Sequence, residues 1–208
     1  MISLGQRLCC AVAVILSAAS ASAQPLGAGA PRAEWCGFPA GALVLARHTG
    51  NDGPDFANYG IGTSFAWNLN ARVGVEAEAG FGVGWTRASV VRGVLVRQAM
   101  PDSAMYSGSL VVSPIGSHRR LAPYVVGALG ALSLLPRNGT DAVGVATRQT
   151  MPTAAVGAGV KWYVARTGGV RADYRVLVID RHDEALPLFG ETGAQVGHRM
   201  FAGIFTTF

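Results

Sequence analysis

From about residue 42 onward, hydrophobic residues alternate with small or polar residues at a period of two. This period is typical of a β-strand with two different faces. The second predicted strand, residues 59–69, is the clearest case, because its hydrophobic face carries three aromatic residues and its other face carries glycine, serine, alanine and asparagine. The same pattern predicts strands over about 72–83, 156–164, 170–178 and 199–208.

Charged residues are confined to one face of these five strands. The apolar faces carry none, and the opposite faces carry eight among small residues: Arg72, Glu76, Glu78, Lys161, Arg171, Asp173, Arg175 and Arg199. A soluble antiparallel sheet would bury its apolar face and cover the other with bulky polar groups. Small residues mixed with ions are instead typical of the interior of a transmembrane barrel, whose outer face must be apolar.

The connections between strands alternate in length. Four long polar or Gly-rich segments span about 49–57, 84–105, 135–151 and 180–197, and three short ones span 68–71, 115–120 and 165–169. Outer-membrane barrels have short periplasmic turns and longer outer loops. In lipid a sheet cannot keep an unpaired edge, so it must close. The sequence predicts an all-β fold, an eight-stranded antiparallel up-and-down transmembrane β-barrel with both termini in the periplasm.

Three of the eight strands carry a weaker signal. The first (around Leu43 to Leu45) and the fifth (Tyr124 to Leu135) are apolar on both faces, and the fourth (about Tyr106 to Pro114) mixes serine with valine. For these three strands the sequence does not determine which face points into the barrel.

The N-terminal segment predicts export. Residues 1–23 have a basic Arg7, an apolar stretch from Leu8 to Leu16 and small residues Ala21 to Ala23, which together are typical of a secretory signal peptide. We interpret residues 24–40 as an irregular lead-in and 41–208 as the barrel domain. The expected location is the outer membrane of the cell.

Aromatic residues sort by strand end in this arrangement. We expect them in two girdles at the membrane interfaces, where amphipathic rings accumulate. The outer girdle comprises Tyr59, Trp85 and Tyr106, and the inner one comprises Trp67, Tyr124, Trp162 and Phe208.

The interior of an eight-stranded barrel is just wide enough for side chains to fill. The eight interior charges therefore predict an ionic plug rather than an open pore. In our hypothesis Glu76 and Glu78 reach across the lumen to Arg171 and Arg175, while Asp173 pairs with a neighbouring strand. Two interpretations of the plug stay open, a structural filler and a narrow gated ion path.

Composition excludes other classes. The net charge is +5 and all but one of the 17 Lys and Arg residues are arginine, but they are scattered singly, which argues against nucleic-acid binding. Outside the signal segment only Cys36 remains of the three cysteines, so neither an internal disulfide nor a cysteine zinc site is expected. We expect no cofactor and no metal ion.

Three stretches make the chain resemble the outer membrane protein β-barrel domain family, the small OmpA/OmpX-like barrels, over residues 40–208. They are Leu121–Ala131, Ala155–Trp162 and Gly169–Arg175. The C-terminal strand also resembles the assembly signal of such barrels: Phe208 and Gly203 match it, while Phe201 and Thr206 depart from it. The resemblance implies a monomeric, porin-like or structural envelope protein that contacts outer-membrane lipid and lipopolysaccharide and is inserted by the barrel-assembly machinery.

Catalysis is the main alternative. Some eight-stranded barrels are lipid A deacylases with a His-x-Ser pair on a late strand, but neither His182 nor His198 has serine two positions later. We therefore expect no enzyme and no catalytic residue, with a gated narrow channel or a lipid A-modifying enzyme as the alternative. Arg87, Arg92 and Arg97, spaced five apart, fit either contact with lipopolysaccharide phosphates or a solvated hairpin.

Overall fold

The structure is a computed structural model that describes residues 33–45, 56–85, 87–91, 94–115, 120–138, 147–180 and 195–208. The predicted signal peptide, residues 1–23, lies outside the described residues, as do residues 24–32 of the predicted lead-in. Among the described residues, no helix is long and apolar enough to cross a bilayer.

Ten strands make up the described chain, and eight of them are long. They are β1 (Ala33–Leu45), β2 (Phe56–Asn68), β3 (Val73–Gly84), β4 (Arg87–Val91), β5 (Val94–Gln98), β6 (Asp102–Val112), β7 (Leu121–Leu135), β8 (Gln149–Ala165), β9 (Gly168–Ile179) and β10 (Gln195–Thr207).

The eight long strands form a closed antiparallel barrel. Around the barrel the order is β1, β2, β3, β6, β7, β8, β9 and β10, with β10 pairing β1 to complete the ring. Neighbours in the ring are therefore neighbours in sequence, apart from the insertion of β4 and β5, which form a separate two-stranded sheet. The predicted eight-stranded all-β barrel is confirmed. The β4–β5 hairpin lies within the second long connection predicted from the sequence, residues 84–105.

A tight turn between β2 and β3 shows how a short connection is built. The side-chain Oδ1 of Asn70 accepts hydrogen bonds of 2.8 Å from the backbone N–H groups of Arg72 and Val73, and the N–H of Leu69 donates to the Val73 carbonyl at 2.9 Å. Asparagine favours such turns because its side chain can replace a backbone acceptor. Val73, expected on the outward face, is buried beside this turn.

The first strand begins earlier than the sequence analysis predicts. β1 starts at Ala33, so residues 33–40 belong to the barrel rather than to an irregular lead-in. Ala33 closes the ring with the chain terminus, since the Phe208 N–H donates to its carbonyl at 2.9 Å. This part of β1 includes Pro39, which lacks a donor N–H. Strands tolerate proline at bulges.

A β-bulge accommodates Pro39. The register of β1 shifts by one residue here against both neighbours, between Gly37 and Ala40 on the β10 side and between Phe38 and Gly41 on the β2 side. Bulges bend a strand and leave backbone groups without ladder partners. In this bulge the Tyr59 hydroxyl donates to the Pro39 carbonyl, so the group that the ladder misses is satisfied from the outside of the barrel.

The two faces of the barrel differ as the alternation predicts. Large apolar side chains cover the outside, including Ile61, Leu129 and Ile204, each more than half exposed. The structure also shows which face of the three weakly predicted strands points into the lumen. The inward, buried residues are Leu43 of β1, Ser103 of β6, and Val126, Leu132 and Leu134 of β7. Apolar residues thus face outward while charged residues are sealed inside.

Candidate functional site: an ionic network in the barrel lumen

Arg171 of β9 and Glu76 of β3 form the centre of the lumen. Three strands separate β9 from β3 on either side of the ring, so these residues lie on opposite walls. Arg171 Nη2 donates to Glu76 Oε1 at 3.2 Å, and its Nη1 contacts Oε2 of the same carboxylate. Both side chains are completely buried. A bidentate guanidinium–carboxylate pair is among the stronger hydrogen-bonded contacts in proteins.

A second layer of the network lies toward the long connections. Arg175 of β9 contacts Glu76 Oε1 and Glu78 Oε2, each at 3.2 Å. Arg199 of β10 pairs with Glu78 Oε1. Successive residues on one face of a strand are two apart. Glu76 and Glu78 are such successive positions on β3, and Arg175 contacts both of them, so the ion pairs continue along the lumen from Arg171–Glu76 to Arg199–Glu78.

Asp173 has a different set of partners from the one the sequence analysis expected. It pairs with Arg171 at 3.1 Å and with Arg175 at 2.9 Å, both on its own strand rather than on a neighbouring one. Residues two apart on a strand point the same way, so the carboxylate lies between the two guanidinium groups. Its contact with another strand is the hydroxyl of Tyr124 in β7, which donates to Asp173 Oδ2 at 2.6 Å.

Tyr124 lies in the lumen, which corrects its assignment to the inner aromatic girdle. It is 2% exposed. Its hydroxyl accepts a hydrogen bond of 2.6 Å from Arg171 Nε while donating to Asp173. The assignment was wrong because the fifth predicted strand is apolar on both faces and so carries no signal of its phase; a buried tyrosine needs such a polar partner.

Glu34 is a network residue that the sequence analysis missed. Its Oε2 accepts a hydrogen bond of 2.7 Å from Lys161 Nζ, and its Oε1 lies 3.9 Å from Arg171 Nη1. It is 1% exposed. The signal was present in the alternation of Glu34, Cys36 and Phe38, all of which are buried, but that segment had been assigned to the lead-in.

Arg72 does not join the network, which is a further correction. It lies in the β2–β3 turn and is exposed. The alternation was extended one residue too far, since β3 begins at Val73. Because Arg72 lies outside the lumen and Glu34 lies inside it, the described lumen holds four basic and four acidic residues instead of the predicted five and three. The basic residues are Lys161, Arg171, Arg175 and Arg199, and the acidic residues are Glu34, Glu76, Glu78 and Asp173.

Aromatic rings surround the guanidinium groups. The Arg171 Cζ lies 4.8 Å from the Tyr124 ring centroid, and the Arg199 Cζ lies 4.8 Å from that of Phe201. Phe201 also packs on Phe38, with ring centroids 4.1 Å apart. Cations over ring faces are attracted by the ring quadrupole. These rings therefore pack against the guanidinium groups without adding charge.

An apolar layer fills the lumen beyond the network, toward the long connections. Its side chains come from β1, β7, β8, β9 and the segment before β6: Leu43, Met100, Leu132, Leu134, Met151, Leu177 and Ile179. Between this layer and the Arg199–Glu78 pair lies a cavity of about 40 Å³, lined on β1, β2 and β3 by Gly41, Gly60, Gly62, Gly80 and Gly82. The Oδ1 of buried Asn58, beside this cavity, has no hydrogen-bond partner.

The remaining expected interface aromatics face outward. Their exposed fractions run from 43% for Tyr59 to 68% for Phe208, with Trp67, Trp85, Tyr106 and Trp162 between them. Tyr106 departs from the expected girdle, because β6 begins at Asp102 and Tyr106 is therefore inside the strand rather than at its end. Trp35, near the inner end of β1, is a further outward aromatic.

The local packing explains why position 203, part of the predicted assembly signal, is a glycine. It faces the β1 bulge, and a Cβ at this position would lie 2.5 Å from the Gly37 carbonyl oxygen and 2.8 Å from Phe38 Cδ1. Only glycine allows the backbones to approach this closely. Phe208, the other matching residue, projects outward at the end of the last strand.

Candidate catalytic groups are few in the described chain. Of the histidines, His198 lies on the outside of the barrel, where its Nδ1 is 2.7 Å from the Tyr174 hydroxyl; His182 lies outside the described residues. Within the described ranges, no three His, Cys, Asp or Glu side chains are grouped to hold a metal ion. Cys36 is a free, buried thiol packed among Phe38, Phe201 and Phe205.

Comparisons with solved structures show the class of fold. The barrel is similar to Neisserial surface protein A, with a TM-score of 0.57 and 13% identity over 85% of this chain and 96% of that one. It is also similar to the outer membrane protein OprG from Pseudomonas aeruginosa, with a TM-score of 0.51 and 15% identity over 86% of this chain and 97% of that one. No protein-family model and no curated protein sequence matches the chain. The small outer-membrane barrel is therefore the fold that these structures share with it.

Proposed function

We propose that this protein is a non-catalytic outer-membrane β-barrel with a closed lumen, whose outer connections contact the cell surface or its surroundings. The observation that carries the proposal is the inversion of the two faces. Arg171, Arg175 and Glu76 are each at most 3% exposed, while large apolar residues on the same strands face outward. Water would favour the opposite arrangement.

The bilayer explains both faces. An Arg or Lys on the lipid side costs roughly 2–4 kcal/mol at the midplane of a barrel, and the outward positions of the strands are accordingly apolar. A closed ring satisfies every ladder partner in lipid. Tyr59 extends this rule to the bulge, because its hydroxyl satisfies the Pro39 carbonyl. The outer membrane is the bilayer in which such barrels reside, so we assign the protein to it.

Cell fractionation combined with gel mobility tests this assignment. We expect the protein in the outer-membrane fraction, and we expect an unheated sample to migrate differently from a boiled one because a folded barrel resists detergent. Recovery in the periplasmic fraction, or identical mobility with and without heating, would rule the assignment out.

The contents of the lumen support a plug. Ion pairs span the barrel from β9 and β10 to β3. The apolar layer lies above them in the lumen, on the side of the long connections. A hydrated ion would have to separate buried pairs and then pass a layer that offers it no ligand. Separating a buried pair is costly, since each group then lacks compensation. We therefore favour the filler interpretation over the gated path.

Planar-bilayer recordings separate the two interpretations. We expect the wild-type protein to show no discrete openings, and Glu76→Ala to match it because the apolar layer remains. Reproducible wild-type openings whose amplitude or frequency changes in Glu76→Ala would instead establish the gated path. Glu76→Ala must first pass the heat-mobility assay, so that a misfolded barrel is not scored as a channel.

The absence of catalysis is tested on lipid A. Expression of the protein should leave the acyl chains of lipid A unchanged in mass spectra. Loss of a chain that depends on His198 would overturn this part of the proposal. His198 is the residue to replace because it lies on the outward face, where its ring contacts Tyr174.

Assembly completes the proposal. We assign recognition by the barrel-assembly machinery mainly to Phe208, whose side chain is exposed at the end of the chain. Phe208→Ala, which keeps the backbone hydrogen bond to Ala33, should reduce the folded fraction in the outer membrane of cells, while refolding of the purified variant into detergent should be unchanged. We also propose that the folded barrel is a monomer, which light scattering in detergent tests.

A further inference from the structure

One wall of the lumen lacks side chains beside the cavity under the apolar layer. Glycines occupy four inward positions of β2 and β3 here, and they pair across the ladder, Gly60 with Gly82 and Gly62 with Gly80. Glycine inside a strand weakens the strand because it has no side chain to pack. A Cβ at Gly60 would meet no atom closer than 3.6 Å, so the space beside it is open. These glycines therefore leave room for the cavity of about 40 Å³.

Two buried polar groups at this cavity lack a hydrogen bond. Asn58 of β2 is 3% exposed, and its Nδ2 donates to Ser103 Oγ at 2.8 Å. Its Oδ1 has no hydrogen-bond partner among the described residues. The Nη1 of Arg199 forms an ion pair with Glu78 but no hydrogen bond of suitable geometry within the described chain. Buried polar groups nearly always have a partner, because one left without is costly. The cavity thus presents an acceptor and a donor that a ligand can satisfy.

Size and charge limit what this ligand is. A water molecule needs roughly 10–15 Å³ of such a cavity, so this one holds about three waters and no larger molecule. An ion would disturb the balance of four basic and four acidic residues in the described lumen, and an uncompensated buried charge is unfavourable. The ligand must therefore be small and neutral, and it must both donate and accept hydrogen bonds.

We propose that this cavity is a binding site for buried water, which donates a hydrogen bond to Asn58 Oδ1 and accepts one from Arg199 Nη1. Buried waters in proteins typically make about three hydrogen bonds to polar groups that otherwise lack partners. The water connects β2 with β10, two strands that do not pair. The apolar layer and the ion pairs lie on either side of it, so the lumen holds water and stays closed to ions. The inference concerns the inside of the lumen and does not depend on the membrane assignment.

A dry cavity is the alternative. Cavities lined by apolar groups alone stay empty, and part of this lining is apolar, including Leu43, Met105 and Leu132. Asn58 and Arg199 decide between the two, because a dry cavity would leave both polar groups unsatisfied.

Nuclear magnetic resonance of the full chain refolded in detergent micelles tests for this water directly. Transfer from water to the side-chain amide protons of Asn58 is measured in the rotating frame, where through-space transfer and chemical exchange give opposite signs. We expect a through-space cross-peak, because a water bonded to Oδ1 lies beside the same amide group. The peak should persist in Ser103→Ala, which removes the neighbouring hydroxyl as a relay. No peak, a peak of the exchange sign, or its loss in Ser103→Ala would overturn the proposal.

Gly60→Ala tests the site by displacing the water. The methyl group enters the cavity without steric conflict and leaves Asn58 Oδ1 without a partner. Gly108→Ala is the matched control, because Gly108 is also inside a strand and has no atom within 4 Å of its Cβ position. In urea unfolding, the folding equilibrium constant of Gly60→Ala should be about tenfold below that of Gly108→Ala, because a buried acceptor is left unsatisfied. In a dry cavity the methyl would fill empty space, so a Gly60→Ala barrel at least as stable as the control would contradict the proposal.

Asn58→Leu removes the acceptor and so separates water displacement from a steric effect. In this background Gly60→Ala should lower the folding equilibrium constant by less than about threefold, since replacing both partners of a hydrogen bond by apolar groups is nearly neutral. An equal loss in both backgrounds would refute the site, because the methyl would then act through packing. Each variant first passes the heat-mobility assay, so failure of the water site is distinguished from failure of the barrel itself.

Discussion

Arg171 and Glu76 meet across the full width of the barrel, from β9 to the opposite wall at β3, and bury every atom of both side chains. Ladder hydrogen bonds connect only neighbouring strands. This ion pair therefore joins parts of the ring that the backbone does not join directly. Its neighbours Arg175 and Asp173 extend the connection along β9, and Glu34 extends it to β1.

Glu76→Gln should strongly destabilise the folded barrel. The substitution keeps the shape of the side chain but leaves Arg171 and Arg175 short of a negative charge, and breaking a buried pair costs about 3–5 kcal/mol. Urea unfolding in lipid vesicles, followed by tryptophan fluorescence, measures the loss in free energy of unfolding. Arg72→Gln is the control, because Arg72 is exposed in a turn and a surface change of this kind is usually within about 0.5 kcal/mol. Equal effects of the two substitutions would refute the assignment.

Arg72 and Glu34 show where alternation with a period of two stops predicting which residues face the lumen. The alternation places every charge of the strand interiors on the correct side, because each is flanked by several residues that repeat the pattern. Arg72 lies at the end of its segment, where the phase is lost in the turn. Glu34 lies beyond a bulge that shifts the phase by one residue.

Charge balance was the missing criterion. The alternation of the sequence by itself puts five bases and three acids in the lumen, and such an excess is unfavourable where water is excluded. When Arg72 is left out of the lumen and Glu34 is counted in it, the charges of the described lumen balance. The facing of Tyr124 had no comparable signal, since β7 is apolar on both faces and only the position of Asp173 and Arg171 across the lumen selects the inward hydroxyl.

Glu34 and Lys161 should be energetically coupled. Their contact is 2.7 Å and connects β1 to β8, two strands that do not pair. We expect Glu34→Gln and Lys161→Met each to lower the free energy of unfolding. The double variant should lose less than the sum, with a coupling energy of about 1–3 kcal/mol. Additive losses in the same urea assay would show that the contact does not form in the membrane.

Tyr124→Phe should destabilise the barrel through one hydroxyl. That oxygen accepts from Arg171 Nε and donates to Asp173, and a buried partner left unsatisfied costs about 1–3 kcal/mol. Tyr106→Phe is the matched control, because Tyr106 faces outward and is 48% exposed. Unfolding of the two variants under identical conditions compares the hydroxyls directly. If Tyr106→Phe lost as much stability as Tyr124→Phe, Tyr124 would not belong to the network.

Gly203→Ala separates a packing role from an assembly signal. An added Cβ would lie 2.5 Å from the Gly37 carbonyl oxygen at the β1 bulge, whereas Gly108 has no atom within 4 Å of the corresponding position. Backbone cannot move aside as a flexible side chain can, and overpacking costs about 1–3 kcal/mol. We therefore expect Gly203→Ala, but not Gly108→Ala, to lower the free energy of unfolding of purified, refolded protein. If Gly203→Ala refolded with full stability yet failed to reach the outer membrane in cells, recognition by the assembly machinery rather than packing would explain the glycine.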